Sequence, residues 1–410
     1  MESDQPIRVG VVGFGVIGKA TAKAVTKIKD MELVAIFSKR DPAKLQNSMA
    51  KVYPTKDVAD FVGKIDVMIC CDSFGTGLQD VAPMVAKYFH TVDSHPLRGD
   101  PPTPEEVEAE KQLRLEELQR LAKDLAERNA RRDAEAGLEP IEKSADTSQN
   151  QPAEETTEVY GMTLPAFVKE PVFQPVYLPF EKYFEKLDAA ARSAKHVSLC
   201  AIGWEPGFMS LIRTVSEGFF PKSKLWTFWG RGISMQWSNA AKAFDGVLDA
   251  AVYQVPKEEP LMAVLNNEPV WDDSRKALHH LDVYIVAEDR VDHDQLRERI
   301  LNMPGWFKDY DTHVTFVGPD EMREFHSRRT HAGLVISRGS TSQGINEQIK
   351  MEVDMDDNAE FTAYVLASAA RAAFRGGEHG WAGAFTMMEV PMAWFNPGSA
   401  AALRQRISHS

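Results

Sequence analysis

Apolar residues along the first hundred positions fall into short unbroken runs: IRVGVVGFG at 7–15, MELVAIFSKRD at 31–41, DVMICCDS at 66–73 and FHTVDSHP at 89–96. Runs of this kind, rich in β-branched residues and closed by glycine or polar side chains, predict parallel strands buried on both faces. Between them, VIGKATAKAVTKIK at 16–29 and LQDVAPMVAKY at 78–88 place apolar residues at helical spacing. Strands alternating with helices predict a parallel α/β sheet with right-handed crossovers. Farther on, FEKYFEKLDAAARSAKH resumes a helix and VSLCAIGWEPG a strand, and LWTFWGRGISM, LHHLDVYIVAED and THVTFVGPD alternate as strands of a mixed or antiparallel sheet do. A last helix is predicted over NAEFTAYVLASAARAAFR, 358–375. The fold class is therefore α/β: a Rossmann-type, doubly wound parallel sheet with a second α+β lobe built on a mixed sheet. The first lobe is expected over 1–100, about 180–205 and 359–410. The second is expected over 206–358, where substrate binding and dimerisation are placed.

Residues 101–179 break this pattern and read as an insert. TPEEVEAEKQLRLEELQRLAKDLAERNARRDAEAG opens with a capping box of Thr103, Pro104 and Glu106 and closes near Gly137, so a helix is predicted. The following EPIEKSADTSQNQPAEETTE has almost no apolar content and predicts a flexible linker.

A length of 410 residues favours two or three domains, and 43% hydrophobic residues supply an ordinary globular core. No run of 18 apolar residues predicts a membrane helix, and MESDQPIRVG lacks the basic and apolar regions of a signal peptide. Cys70, Cys71 and Cys200 lie in apolar runs and give no disulfide framework, so a cytoplasmic protein is expected. The net charge of −13 argues against nucleic acid as a partner. Much of that charge belongs to 103–158, with 16 acidic against 8 basic side chains, and says little about the substrate.

Gly13, Gly15 and Gly18, with Phe14, Val16 and Ile17 between them, form G-x-G-x-x-G at the junction of the first strand and helix. In that context the glycines fit a tight turn, the approach of a pyrophosphate and close helix packing. The second strand ends in Ser38, Lys39 and Arg40 rather than in an acid, and a hydroxyl with two cations suits the 2′-phosphate of NADP over NAD. Cys71, Asp72, Ser73 and Phe74, and likewise Asp93, Ser94 and His95, follow the next two strands and are expected to rim the nicotinamide. Trp204 and Glu205 occupy a strand end where small turn residues are usual, which fits a pocket wall and a charge presented to a reacting centre. No metal ligand is assigned.

At this point a resemblance enters. The strings IRVGVVGFGVIGKA, LVAIFSKR, DVMICC, TVDS, GWEPGFMSLIR, FWGRGIS, HAGLVISRG, NAEFTA and GAFTMMEV resemble, in order, those of the NADP-dependent meso-diaminopimelate D-dehydrogenase family. The resemblance implies oxidative deamination of the D-centre of meso-2,6-diaminopimelate in lysine metabolism by a homodimer. It places Trp204, Glu205, Pro206 and Gly207 at the D-amino centre, with Glu205 receiving the ammonium where the family usually has Asp. It also implies substrate contacts for Trp229, His331 and Asn358. Three places depart from the family pattern: Pro96 replaces an Asp, Leu281 the Arg that clamps the distal carboxylate, and Gln254 a Thr assisting that clamp. His279, His280, Arg275 or Arg338 is expected to compensate, or else the insert at 101–179. Two other readings therefore stand beside the first: a relative acting on another amino acid or amine, and a non-catalytic NADP-binding sensor.

Overall fold

A computed structural model describes residues 5–45, 49–71, 77–95, 156–159, 162–165, 179–220, 223–268, 270, 272–303, 306–308, 310–342 and 345–408. Its strands run in chain order from β1 (Ile7–Val12), β2 (Met31–Ser38), β3 (Val52–Pro54) and β4 (Val67–Cys70) to β5 (His90–Asp93), β6 (Thr156–Val159), β7 (Met162–Pro165) and β8 (Val197–Leu199). They continue with β9 (Ser223–Gly230), β10 (Gly232–Ile233), β11 (Val247–Pro256) and β12 (His279–Ala287). The last four are β13 (Asp311–Phe316), β14 (His331–Ser342), β15 (Ile345–Met355) and β16 (Gly383–Phe385).

Seven strands form one parallel sheet in the order β16-β8-β5-β4-β1-β2-β3. From β1 the chain winds to one side through β2 and β3, then to the other through β4, β5 and β8. That reversal leaves a crevice at the carboxyl ends of β1 and β4, the ligand position of open α/β sheets. The doubly wound fold read from the sequence is present. Helices Val16–Lys27 and Asn358–Glu378 cover one face of this sheet, and Leu78–Ala86 and Phe180–Ala194 the other. On the Asn358–Glu378 helix, Leu366, Ala369, Ala370 and Ala373 are fully buried at i, i+3, i+4 and i+7, so one stripe of small residues lets the helix approach closely.

The second lobe has two sheets. One is mixed, β10-β11-β12-β13, with only β12 and β13 parallel. The other is antiparallel, β15-β14-β9. Val252, Leu281, Val283 and Ile285 on one face of the mixed sheet pack against Leu296 and Ile300 of the helix His293–Leu301.

The helix read over 103–137 lies outside the described residues, as do Asp72, Ser73, Phe74 and Pro96. The flexible linker expected through Glu158 is corrected at its end. Thr156–Val159 and Met162–Pro165 pair antiparallel as β6 and β7, because β-branched Thr156, Thr157 and Val159 favour extended backbone despite the polar composition. Among the described residues no helix is long and apolar enough to cross a membrane.

One buried ion pair ties the first lobe together. Arg371, 3% exposed, donates from Nε and Nη2 to the two oxygens of Asp30 at 2.5 and 2.8 Å, and from Nη1 to the Phe395 carbonyl at 2.7 Å. Burial raises the Asp30 pKa, but the guanidinium outweighs it and holds the carboxyl below its ordinary range. Asp30→Asn should cost about 3 kcal/mol, the low end for breaking a buried pair, because the Asp30 side chain is itself 35% exposed. The denaturant midpoint should show this, and Asp30→Asn/Arg371→Met should recover part of the loss; full stability in the single variant would refute it.

Candidate active site

The sheet brings three chain segments to one edge. After β1, Gly13 adopts φ +92°, a conformation that a side chain would strain. The helix Val16–Lys27 then starts with no side-chain cap and no acid in its first turn, so its first N–H groups and positive dipole end are left for an anion. A Cβ on Gly15 would meet nothing within 4 Å, whereas one on Gly18 would lie 1.9 Å from the Gly13 carbonyl oxygen. Gly18 lets the helix sit against the loop and Gly15 leaves space before it, which together fit a pyrophosphate cradle. Phe14 is buried, Ile17 half-buried and Val16 exposed. Cys71, just past β4, supports the loop by donating its N–H to the Val12 carbonyl at 2.7 Å. At the end of β2, buried Ser38 accepts the Arg40 N–H at 3.1 Å. The Arg40 guanidinium donates to the Phe14 carbonyl, which draws this cation over the glycine loop, and Lys39 is exposed beside it.

Asp93 behaves differently from its neighbours. Its side chain is wholly buried, with Oδ1 accepting the His95 N–H at 2.9 Å and Oδ2 accepting the Tyr183 hydroxyl at 2.5 Å. Burial pushes its pKa up to about 6, against the hydrogen bonds from Tyr183, His95 and Ala201. His95 is also buried and stacks on the Tyr183 ring at 3.8 Å, while Ser94 is half-buried. Asp93 and His95 thus shape the loop from within, and Ser94 alone of the three retains partial exposure. Tyr183 had no signal in the sequence beyond an apolar helix position.

The third segment is the turn after β8. Trp204 is 5% exposed and lies edge-on to Trp229 at 6.3 Å, His331 at 5.8 Å and Phe361 at 5.7 Å. Gly207 has φ +124°, and a Cβ on Gly333 would lie 2.9 Å from Trp204 Cζ2, so both glycines are needed to seat this ring. The Trp204 Nε1–H is buried and has no hydrogen-bond partner among the described residues. An orphaned buried donor calls for an external acceptor. His331 donates from Nδ1 to the Ala332 carbonyl at 2.9 Å, and burial lowers its pKa, so Nε2 is left as a lone-pair acceptor. Asn358 opens the last long helix and accepts the Thr362 hydroxyl at 3.1 Å. Glu205 is joined to Arg213 at 2.5 Å through Oε1 and to the Ser210 hydroxyl at 3.2 Å through Oε2. The sequence reading passed over Arg213, which lies one turn into the helix Met209–Gly218; the non-helical backbone at Glu205, Pro206 and Gly207 separates the two residues, so helical spacing could not have marked the pair.

Known proteins resemble this chain over nearly its whole length. Residues 203–357 match the family described as the diaminopimelic acid dehydrogenase C-terminal domain. The chain is 30% identical over 409 residues to the meso-diaminopimelate D-dehydrogenase of Acetivibrio thermocellus, covering 98% of both. It belongs to the meso-diaminopimelate D-dehydrogenase family. The Corynebacterium glutamicum enzyme of that name is 26% identical over 391 residues, 95% of this chain and 96% of that one. Two solved structures match over 98% of this chain and 99% of theirs. The C. glutamicum diaminopimelate dehydrogenase in complex with its ligand has a TM-score of 0.71 at 25% identity. An engineered D-amino acid dehydrogenase bound to NADP⁺ has a TM-score of 0.69, also at 25% identity.

Of the three positions read from the sequence as departures, Leu281 and Gln254 lie among the described residues. Leu281 is fully buried in the core with Val252 and Val283, directly across the β11–β12 ladder from Gln254. Gln254 is 6% exposed, and its Nε2 has no partner among the described residues. Of the four cations expected to compensate, Arg338 is committed to Gln348, Asn267 and the Leu265 carbonyl. His280 alternates with Leu281 and lies on the opposite face of β12. His279 accepts the Trp229 N–H on Nε2 at 2.8 Å and donates from Nδ1 to the Arg275 carbonyl at 2.9 Å, which one neutral tautomer satisfies. Arg275 remains, its guanidinium 5.5 Å from the centre of the Trp229 ring.

The His279 bridge carries a pH signature. Burial lowers its pKa from 6.5 to about 4, so the folded state binds fewer protons than the unfolded chain between those values. Its contribution is complete above the upper value and is lost as pH falls, by up to about 1.4 kcal/mol per pH unit. His279→Gln should be less stable than wild type at pH 7, and the gap should narrow toward pH 4.5 in chemical unfolding. A gap that does not change with pH would refute the assignment.

Proposed function

We propose that this chain catalyses NADP⁺-dependent oxidative deamination of the D-centre of meso-2,6-diaminopimelate, giving L-2-amino-6-oxopimelate and ammonia. The observation that carries this reading is the convergence of an uncapped glycine-loop helix and an orphaned Trp204 indole N–H at the carboxyl end of one parallel sheet. The chemistry supplied by bound NADP⁺ is acceptance of hydride from the substrate α-carbon, leaving an imine that water hydrolyses. Gly13 to Gly18 hold the pyrophosphate, and Ser38, Lys39 and Arg40 surround the 2′-phosphate. Trp204, Pro206 and Gly207 form the wall beside the D-centre. Glu205 accepts the substrate ammonium and takes its proton, its orientation fixed by Arg213 and Ser210. His331 Nε2 and Asn358 accept further substrate donors, and Trp229 and Gln254 line the distal half of the pocket. The nucleotide lobe is assigned to 1–100, about 180–205 and 359–410, with 206–358 binding substrate and dimerising. A cytoplasmic homodimer suits a soluble amino acid as substrate.

Arg275 takes the part of the family's distal clamp in this assignment, because it alone of the four candidate cations presents its charge to Trp229. A second reading, turnover of a D-amino acid with an uncharged side chain, is favoured by fully buried Leu281 at the clamp position. Arg275→Ala separates them. It should lower kcat/KM for meso-diaminopimelate about 10- to 100-fold, the loss of one charge-assisted contact, and leave an uncharged D-amino acid nearly unaffected. Equal effects on both substrates would refute the clamp.

Two further outcomes test the remaining roles. Lys39→Ala/Arg40→Ala should weaken NADP⁺ binding roughly tenfold or more, with little change for NAD⁺. Unchanged NADP⁺ affinity in a fluorescence titration would overturn the 2′-phosphate site. Glu205→Gln should lower turnover about 10²-fold while Glu205→Asp does much less harm. A fully active Glu205→Gln would remove Glu205 from the reaction, and NADP⁺ binding without turnover of any amino acid would favour a sensor.

A further inference from the structure

On β12, Leu281 and Val283 face the core, so His280 and Asp282 point to the other side of the mixed sheet. The parallel partner β13 sets Asp311 beside His280 and His313 beside Asp282. Two imidazoles and two carboxylates therefore alternate in a square on the face away from the core. His280 Nε2 and His313 Nδ1 each lie 3.4 Å from Asp282 Oδ1, and the three ligand atoms fall within 4.8 Å of one another.

We propose that His280, Asp282 and His313 form a binding site for a divalent transition-metal cation of the Zn²⁺ class, clipping β13 to β12. A separation of 3.4 Å is beyond a good N–H···O hydrogen bond. It matches the distance between two ligands of one tetrahedral ion, about 3.3–3.5 Å for bonds of 2.0–2.2 Å. The surrounding groups suit the same role. His313 turns its other nitrogen, Nε2, toward Asp311 Oδ1, 3.4 Å away, so a carboxylate stands on the side from which one would orient a metal-bound imidazole after a small approach. Arg231 holds Asp282 Oδ2 at 3.0 Å, which fixes the carboxylate and leaves Oδ1 to the metal. Lys257 pairs with Asp311 at 3.5 Å, so the two carboxylates and two cations around the site cancel in charge. With no net negative field, affinity rests on the imidazoles, which selects Zn²⁺, Co²⁺ or Ni²⁺ over Mg²⁺ and Ca²⁺. His313 is 61% exposed, which gives the ion an entry path and room for a water as fourth ligand. The site is separate from the glycine loop and from Trp204, and does not rest on the proposed activity.

Co²⁺ alone, titrated into metal-free full-length protein, provides the test. One equivalent should bind with the intense visible absorption of four-coordinate Co²⁺, Zn²⁺ should displace it, and Mg²⁺ should not. Zn²⁺ should raise Tm, and His280→Ala/His313→Ala should lose at least tenfold in Co²⁺ affinity while keeping the wild-type circular dichroism spectrum and NADP⁺ affinity. Should that variant fail to fold, His313→Gln alone, whose side chain is largely exposed, carries the comparison. Co²⁺ affinity unchanged by these substitutions, or no binding at millimolar Co²⁺, would overturn the site.

Discussion

Trp204 packs edge-on against Trp229, His331 and Phe361, and so touches β9, β14 and the Asn358–Glu378 helix at once. Those partners come from three separate stretches of chain, two of them in the second lobe and its return to the first. Aromatic pairs of this geometry add about 0.5–1.5 kcal/mol each beyond the area they bury. Their greater effect is positional. With the indole held by these three rings, the turn that carries Glu205 is fixed to both lobes at once.

The parallel sheet supplies the other half of the arrangement. Because β1, β2, β4, β5 and β8 all run the same way, the glycine loop, Ser38, Cys71, Ser94 and Trp204 emerge on one edge. Winding from β1 in both directions opens the crevice there, and the uncapped helix end gives it a positive potential. Beneath that edge, the Asp93–Tyr183–His95 stack joins β5 to the helix Phe180–Ala194. The re-entry of the chain after the 101–179 segment is thereby fixed against the nucleotide loop.

One carboxylate and two guanidinium groups gather around Trp229. Glu205 pairs with Arg213, whose guanidinium lies 5.9 Å from the Trp229 ring, and Arg275 lies 5.5 Å from the same ring. A cationic end beside an anionic one fits a molecule carrying both ammonium and carboxylate groups. In the proposed assignment Arg275, just before β12, supplies the distal cation, while Leu281 lies in the core of the mixed sheet.

Apolar periodicity alone determined that a parallel α/β lobe opens the chain, and the glycine spacing with Ser38, Lys39 and Arg40 marked the edge at which the nucleotide is proposed to bind. These signals were legible because each depends on neighbours within a few residues: strand burial, a turn, a helix start. Trp204 stood out from its place at a strand end, whereas Trp229 and His331 were marked only by the family resemblance; the structure brings the three rings together. Tertiary structure alone decided that Asp93 turns inward to Tyr183, 90 residues away, and that Glu205 is held by Arg213. It also decided that Arg213 and Arg275 both lie over Trp229, and that His280 and His313 meet across two strands. Such pairings join residues whose separation in sequence carries no periodic signal. They are set by sheet register and by which face each side chain takes, and both follow from how the whole core packs.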